Sequence, residues 1–247
     1  MIEKEIEEFE IFVNHYDLSV PAIERKYKHS LRVMKFAIDI AKSLNLTEDE
    51  IILAAKAGLL HDIGRFEQWT QYCTYDDLKS IDHADLGVEI LKKNNYIEKY
   101  EKDKVKQEII LTAVKNHNKL AIEQGIDGIE LIISKIIRDA DKLDIMNTQI
   151  LAVKDIDSDF NIETLQYVYL EKCCANSAVK SEADSVVRML CFIFDLYYKY
   201  SIKYLQKVNL VEKKINILEQ YNNVPKDEIE KIKEYILQYM KRKIEEN

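Results

Sequence analysis

Glycine and proline are scarce in this chain, and their scarcity limits the folds that it can adopt. Among 247 residues there are only 5 Gly and 2 Pro. A protein of this length built on β-strands needs many tight turns, and Gly and Pro supply a large share of them. Leu, Ile, Lys and Glu, which favour helices, are abundant instead. Because 47% of the residues are hydrophobic, the chain can also bury a sizeable core. The sequence therefore predicts an all-α protein.

Helix start and stop signals divide the first 150 residues into helices. Ser19, Thr47 and Asp82 are the predicted N-caps, and Thr47 is followed three residues later by a glutamate, as in a capping box. Asn45 is predicted to end the first of these helices. The predicted helices are 20–44, 48–64, 83–93, 101–117 and 129–144.

The remaining segments have weaker periodicity. Residues 65–80 show no clean helical or strand period, which predicts a loop, and a loop at such a place often covers a site. From about residue 160 onward the sequence predicts two or three long helices rich in Tyr and Leu, with a break at residues 222–225. We expect one domain over residues 1–247, with a core at about 20–150 and C-terminal helices at about 160–247 packed on it.

The charge, the N-terminal sequence and the cysteines limit the classes of partner and the location that we expect. The net charge is −8, and no basic stripe is present, which excludes duplex nucleic acid as the expected partner. The acidic N-terminus lacks the features of a signal peptide, and no run of 18 apolar residues is long enough for a membrane span. The four cysteines form no C-x-x-C pair and are interpreted as reduced packing residues. We therefore expect a cytoplasmic protein without a membrane partner, either monomeric or a homodimer.

Polar residues on apolar helix faces are the most informative pattern. Four of the five histidines and one aspartate share a predicted face with apolar residues at helical offsets. They are His29, His61, His83, His117 and Asp141. A single such histidine is more simply a core residue bonded to the backbone, because a buried polar group needs a partner. Five of them on successive helices favour a metal site at the centre of a helix bundle. Imidazole and carboxylate ligands suit Mn, Fe, Co, Ni or Zn. The expected cofactor is one or two divalent ions of these metals or of Mg.

Three motifs in this region resemble the HD superfamily. Residues 54–68, AAKAGLLHDIGRFEQ, contain the signature pair His61-Asp62. His29, within KHSLRVMKFA, precedes that pair by 32 residues, and RDADKLD at 138–144 resembles the last metal-binding motif of the family. The resemblance implies a helical bundle, a divalent metal and, commonly, the hydrolysis of phosphate esters, often in nucleotides.

The resemblance also implies a set of metal ligands. His29, His61, Asp62 and Asp141 match the family's ligands, and Asp141 is preferred to Asp139 because the motif reads Ala-Asp-(Lys/Arg)-Leu. His83 and His117 resemble the two extra histidines of HD proteins that bind two metals. The chain departs from the HD-GYP phosphodiesterases after His117, because Asn118 stands where a histidine is expected and no Gly-Tyr-Pro follows. Hydrolysis of cyclic dinucleotides is therefore not expected.

The expected chemistry is hydrolysis by water whose pKa a bound divalent metal lowers. Asp62 is expected both to bind metal and to accept a proton. Arg65, Lys115 and Lys142 are the candidates to hold the substrate phosphate, with Arg65 and Lys142 as catalytic residues, although each is equally compatible with a solvated surface cation. The predicted partner is a small phosphorylated metabolite, in particular a nucleotide. Two alternatives stay open: a di-iron HD-type oxygenase and a non-catalytic, nucleotide-binding regulator.

Overall fold

Helices make up all the regular structure that is described. The structure is a computed structural model, and it describes residues 2–148 and 153–246. Within these ranges there are α-helices and short 3-10 helices and no β-strand, which confirms the all-α prediction. The chain divides into two compact units, residues 1–141 and 142–247. The prediction of one domain stays a prediction.

The first unit is a bundle in which consecutive helices pack against each other. Its helices are α1 (Glu3–Val13), α2 (Pro21–Ser43), α3 (Glu48–Leu60), α4 (Gly64–Tyr72), α5 (His83–Lys92), α6 (Lys104–Asn116) and most of α7 (Gly128–Thr148). Helix α2 packs along α3, α4 along α5, and both α3 and α5 pack against α6. Every residue from 53 to 64 is buried, so that the His61-Asp62 pair lies in the core of this unit.

The helix caps agree with the sequence at two of the three predicted positions. Thr47 and Glu50 form the predicted capping box of α3, and the carboxylate of Asp82 accepts hydrogen bonds from the first turn of α5. The prediction for Ser19 is wrong, because Val20 is the N-cap of α2. The Ser19 side chain instead donates a hydrogen bond to Asp17, at 2.6 Å.

The predicted loop at residues 65–80 is half helix. Helix α3 ends at Leu60 rather than Gly64, and Gly64 begins the nine-residue helix α4. This helix is hard to recognise from the sequence because one of its few buried side chains is the amide of Gln68, which interrupts the apolar pattern. The chain from residue 73 to 82 is the actual loop, with a short 3-10 helix at Asp77–Lys79.

The start of α4 lies against the backbone of α5. A Cβ atom placed on Gly64 would lie 2.2 Å from the carbonyl oxygen of His83 and 2.8 Å from the amide nitrogen of Gly87. Both distances are far below van der Waals contact with backbone atoms that cannot turn away. The two helices can therefore approach this closely only because residue 64 has no side chain.

The second unit consists of shorter helices than the sequence predicts. After the last turn of α7 it contains α8 (Gln166–Tyr169), α9 (Glu182–Cys191), α10 (Lys199–Lys207), α11 (Leu210–Leu218) and α12 (Lys226–Glu245). Two or three long helices were expected, but only α12 is long among those described. The region is divided by a capping box at Ser181 and by Asn209, whose φ is 51°. The predicted break at residues 222–225 is confirmed.

Two further observations concern the described ranges. None of their helices has both the length and the apolar character that a membrane crossing requires. The four cysteines, Cys73, Cys173, Cys174 and Cys191, are free thiols.

Candidate metal centre

Six polar side chains from five helices meet inside the first unit. His29 lies within α2, and His61 and Asp62 directly follow α3. His83 is the first residue of α5, His117 directly follows α6, and Asp141 lies within α7. The four histidines and Asp62 are each at most 5% exposed. These six residues, called here the metal centre, are the complete set of ligands that the sequence predicts.

The carboxylate of Asp62 joins two pairs of histidines. Its Oδ2 atom lies 3.4 Å from Nε2 of His29 and 3.5 Å from Nε2 of His61. Its Oδ1 atom lies 3.3 Å from Nε2 of His83 and 3.5 Å from Nε2 of His117. Each oxygen therefore faces a different pair of imidazoles, and each pair together with Asp62 forms a group that could hold a metal ion.

Asp141 completes the first of these groups. Its Oδ1 atom lies 3.0 Å from Nε2 of His29 and 3.6 Å from Nε2 of His61. The group of His29, His61, Asp62 and Asp141 thus has four donors, whereas the group of His83, His117 and Asp62 has three. A site with three protein ligands leaves room for water or substrate.

In three histidines a hydrogen bond at Nδ1 favours the tautomer in which Nε2 can bind a metal ion. Nδ1 of His61 lies 2.8 Å from the carbonyl oxygen of Gly58, and Nδ1 of His117 lies 2.7 Å from that of Val114. A carbonyl can only accept, so in both rings Nδ1 carries the proton and Nε2 keeps its lone pair. Nδ1 of His83 lies 2.7 Å from Oδ2 of Asp77. Such bonds are typical of metal-ligating histidines.

The spacing within each histidine pair also fits a shared cation. The Nε2 atoms are 3.2 Å apart in the pair His29–His61 and 2.9 Å apart in the pair His83–His117. Two lone pairs that face each other at this distance repel, and a cation between such groups removes the repulsion. The donor chemistry of the six residues therefore fits one or two divalent metal ions.

The carboxylates of the centre are held in their charged form. Burial alone would raise the pKa of Asp62, but the ammonium group of Lys26 and the surrounding imidazoles outweigh it and hold that pKa well below its ordinary value. Burial alone would also raise the pKa of Asp141, but its interactions with His29 and His61 outweigh burial and hold that pKa well below its ordinary value. Burial lowers the pKa of His117 to about 4. Charged carboxylates and neutral imidazoles are the forms that bind a metal.

Two neighbours of the centre were not predicted from the sequence. Nζ of Lys26 lies 2.6 Å from Oδ2 of Asp62, and its side chain is only 15% exposed. Asp77 bonds to His83 and also lies 2.9 Å from Nη1 of Arg65. Lys26 stands one helical turn before His29, where that spacing could have indicated it, whereas Asp77 lies in a stretch without a period.

Arg65 is anchored beside the centre. Its Nη1 donates to Asp77, to Gln68 at 2.7 Å and to the carbonyl oxygen of Tyr75, also at 2.7 Å. Its Nε atom is buried without a hydrogen-bond partner and lies 3.5 Å from Oδ1 of Asp62. A buried donor of this kind next to a ligand oxygen is a place where a bound group would be held.

The other two predicted phosphate-holding residues have different surroundings. Lys115 stands two residues before His117, on another side of its helix, and its ammonium group pairs with Glu123 at the surface, at 2.6 Å. Lys142 belongs to the second unit, where it is largely buried and lies 2.8 Å from Asp195. The contacts of Lys115 among the described residues do not connect it with the metal centre. The roles of both lysines stay predictions.

Asn118 occupies the position at which the sequence departs from the HD-GYP pattern. Its Nδ2 atom lies 3.1 Å from both carboxylate oxygens of Asp82 and 3.3 Å from Oδ2 of Asp77. Asn118 thus connects the loop after α6 with the cap of α5 and with the residue that holds His83. In this chain it acts through hydrogen bonds to carboxylates.

Comparison with known proteins agrees with the geometry of the centre. Residues 27–146 match the family model described as HD domain. The comparison with curated proteins finds no match for the chain, and neither does the comparison with solved structures. The matched range contains all six residues of the metal centre. Residues 27–146 are therefore similar to an HD domain.

Proposed function

We propose that the protein is a divalent-metal-dependent phosphohydrolase that acts on a small phosphorylated metabolite, in particular a nucleotide. The observation that carries the proposal is the arrangement of six ligands, five of them buried, in two groups that share Asp62. The match to the HD domain model supports a metal-dependent hydrolase. The nucleotide is inferred from the substrates that HD proteins commonly hydrolyse. A cytoplasmic location, as the sequence predicts, is part of the proposal.

The six ligands would hold two metal ions. His29, His61, Asp62 and Asp141 would hold one ion, and His83, His117 and the other oxygen of Asp62 a second. A divalent metal bound there supplies hydroxide near neutral pH by lowering the pKa of water, and it polarises a phosphoryl oxygen.

Basic residues beside Asp62 would orient the phosphate. Lys26 and Arg65 both approach this carboxylate, one at each oxygen. The further role predicted for Asp62, as proton acceptor, stays a prediction, and its low pKa makes it a weak base. Lys142 stays a predicted phosphate ligand, and a homodimer stays a predicted assembly.

Metal analysis combined with a substrate screen tests the proposal. The purified protein is loaded with Mn²⁺, Fe²⁺, Co²⁺, Ni²⁺, Zn²⁺ or Mg²⁺ and assayed against nucleotides, phosphodiesters and sugar phosphates, with and without a chelator. We expect hydrolysis of at least one of these substrates, with loss of activity in the chelator. In the variant His61→Ala, activity and bound metal should be lost while the helical circular dichroism signal remains.

A matched control uses a histidine outside the centre. His15 is exposed and bonds only to the backbone carbonyl of Phe12 among its described contacts, so His15→Ala should keep full activity. If the metal-loaded protein hydrolyses no phosphate ester but consumes dioxygen, the oxygenase alternative replaces the proposal. If it binds a nucleotide and performs neither reaction, the regulator alternative replaces it.

A further inference from the structure

Three cations surround one aromatic ring next to the metal centre. The guanidinium carbon of Arg25 lies 5.7 Å from the centroid of the Tyr75 ring, and that of Arg65 lies 5.5 Å from it. Nζ of Lys26 is also 5.5 Å from the same centroid. Arg25 and Lys26 come from α2, one turn before His29, whereas Arg65 comes from the start of α4. We call Arg25, Lys26, Arg65 and Tyr75 the Tyr75 cluster.

The Tyr75 ring is held in a fixed position. Its hydroxyl donates a hydrogen bond to the carbonyl oxygen of Ala22, at 2.9 Å. Its ring packs against Trp69 with the centroids 4.9 Å apart. A tyrosine hydroxyl is protonated at neutral pH, and burial raises the pKa of Tyr75 further, so the hydroxyl brings no negative charge to the cluster. The ring therefore acts as a rigid surface around which the three cations are arranged.

The Tyr75 cluster carries more positive charge than the nearby carboxylates neutralise. Lys26 is paired with Asp62 and Arg65 with Asp77. Arg25 is exposed, and among the described residues no carboxylate lies within ion-pair distance of it. This local excess occurs in a chain whose net charge is −8. A patch of opposite sign to the whole molecule, next to buried ligands, would attract an anion.

Binding of a metal ion at the metal centre would increase the excess of positive charge in the Tyr75 cluster. Asp62 is both the partner of Lys26 and the carboxylate shared by the two histidine pairs. A cation held by Asp62 would therefore offset the charge that now compensates Lys26. The ammonium group would then be available to an anionic ligand at the edge of the centre, with Arg25 at the preceding position in the chain.

We propose that the Tyr75 cluster binds a second phosphate group of the substrate, so that the preferred substrates are diphosphates or bisphosphates. Lys26 and Arg65 contact the phosphate nearer to Asp62, and Arg25 contacts the phosphate farther from it. An arginine suits this position because its guanidinium group can form two parallel hydrogen bonds to one phosphate. The proposal rests on the proposed function and specifies the substrate class of the same centre.

Calorimetric titration with two non-hydrolysable probes tests the proposal. Methylphosphonate has one anionic group, whereas methylenediphosphonate has two. Each is titrated into the Mn²⁺-loaded full-length protein and into the metal-free protein. We expect the diphosphonate to bind at least about tenfold more tightly than methylphosphonate, since charge-assisted hydrogen bonds contribute this much.

Variants of α2 assign the difference to Arg25. Arg25→Met should weaken binding of the diphosphonate about tenfold and leave methylphosphonate binding unchanged. Arg25→Lys, which keeps the charge but loses the paired hydrogen bonds, should be intermediate. Lys28→Met is the matched control, because Lys28 is an exposed cation on the same helix that pairs with Glu24. The diphosphonate chelates free Mn²⁺ to the same extent whichever variant is titrated, so chelation by the probe cancels when the variants are compared.

The outcomes separate this proposal from the proposed function. If both probes bind equally well, or if Arg25→Met and Lys28→Met behave alike, the cluster does not bind a second phosphate. If the Arg25-dependent difference is found but no phosphate ester is hydrolysed, the anion site stands and the proposed function fails. If hydrolysis is found only for monophosphates and does not depend on Arg25, the proposed function stands and this inference fails.

Discussion

Asp62 has a role that no other ligand of the metal centre shares, because each of its oxygens faces a different pair of histidines. His29 and His61 lie near Oδ2, and His83 and His117 lie near Oδ1. The other ligands each belong to one group. Removing the charge of Asp62 is therefore a different perturbation from removing a histidine.

The variants Asp62→Asn and His83→Ala should differ in the number of ions lost. We expect Asp62→Asn to lower the metal content of both groups, because both lose a charged ligand. His83→Ala should lose only the ion of its own group and keep the one at His29, His61 and Asp141. Elemental analysis of protein equilibrated with Mn²⁺ gives the ratio of metal to chain. An Asp62→Asn protein with wild-type metal content would contradict the shared role.

Individual residues of the centre could be predicted to different degrees. The histidines and Asp141 stand out because such a side chain on an apolar helix face is unusual, and Asp62 was found through its motif. Lys26 was missed, since a lysine in a helix is ordinarily a solvated surface residue. Asp77 was missed because its contact with His83 depends on how a loop folds back over six residues, which no local pattern encodes.

At the scale of helices, the contact between α4 and α5 is the feature that periodicity could not reveal. The start of α4 is recognisable only from the packing of Gly64 against His83 and Gly87. By contrast, the starts of α3 and α5 were predicted well because their N-caps are local side-chain hydrogen bonds. The positive φ of Gly125, at 86°, agrees with the predicted loop between α6 and α7.

Substituting the two buried glycines of this region should have unequal effects. In Gly64→Ala the new methyl group would meet the His83 carbonyl oxygen, so we expect a loss of at least about 3 kcal/mol in the free energy of unfolding. In Gly58→Ala the atom nearest to the new methyl group is Cα of Met34, at 3.1 Å. The better helix propensity of alanine offsets part of this crowding. We therefore expect a loss of at most about 1 kcal/mol in the free energy of unfolding.

Urea denaturation of the metal-free variants measures both free energies. Equal midpoints for the two variants would show that α4 and α5 can separate at little cost. Metal content provides a second measurement. We expect Gly64→Ala to weaken binding at the His83 group, because the alanine would displace the first residue of α5, whereas Gly58→Ala should keep wild-type metal content.

At the scale of the whole molecule, the buried titratable groups make stability depend on pH. His117 has an ordinary pKa of 6.5 and a pKa of about 4 in the folded chain. Between these values the unfolded chain binds a proton that the folded chain does not, so stability falls as the pH falls. Asp62 and Asp141 have lowered pKa values, so their contributions are present above pH 3.8 and are lost below it.

We therefore expect the metal-free protein to lose stability as the pH falls from 6.5 to 4, by up to about 3 kcal/mol from His117 alone. Denaturation in urea at several pH values measures this slope. The variant His117→Gln cannot titrate and should show a smaller slope in the same range. Equal slopes for the two proteins would mean that His117 is not the source.

The two units of the molecule differ in how well the sequence predicted them. In the first unit, local caps, apolar stripes and ligand motifs agree with one another, and they fix the helices that hold the centre. In the second unit, tyrosine and leucine are spread over short helices, and the ends of these helices depend on single residues such as Asn209. Composition reveals that this part is helical, but it does not reveal where each helix ends.

The contact at Gly64 has a consequence for anyone who wishes to transplant this site into another scaffold. Residues 61–64 combine a ligand, a shared ligand, a core side chain and a position without a side chain, in that order. The last position sets how near α5 can come, and α5 begins with His83. A graft that copied the six ligands but allowed a side chain at residue 64 would separate the two halves of the site. The glycine is thus part of the minimal set of residues that a designer has to transfer.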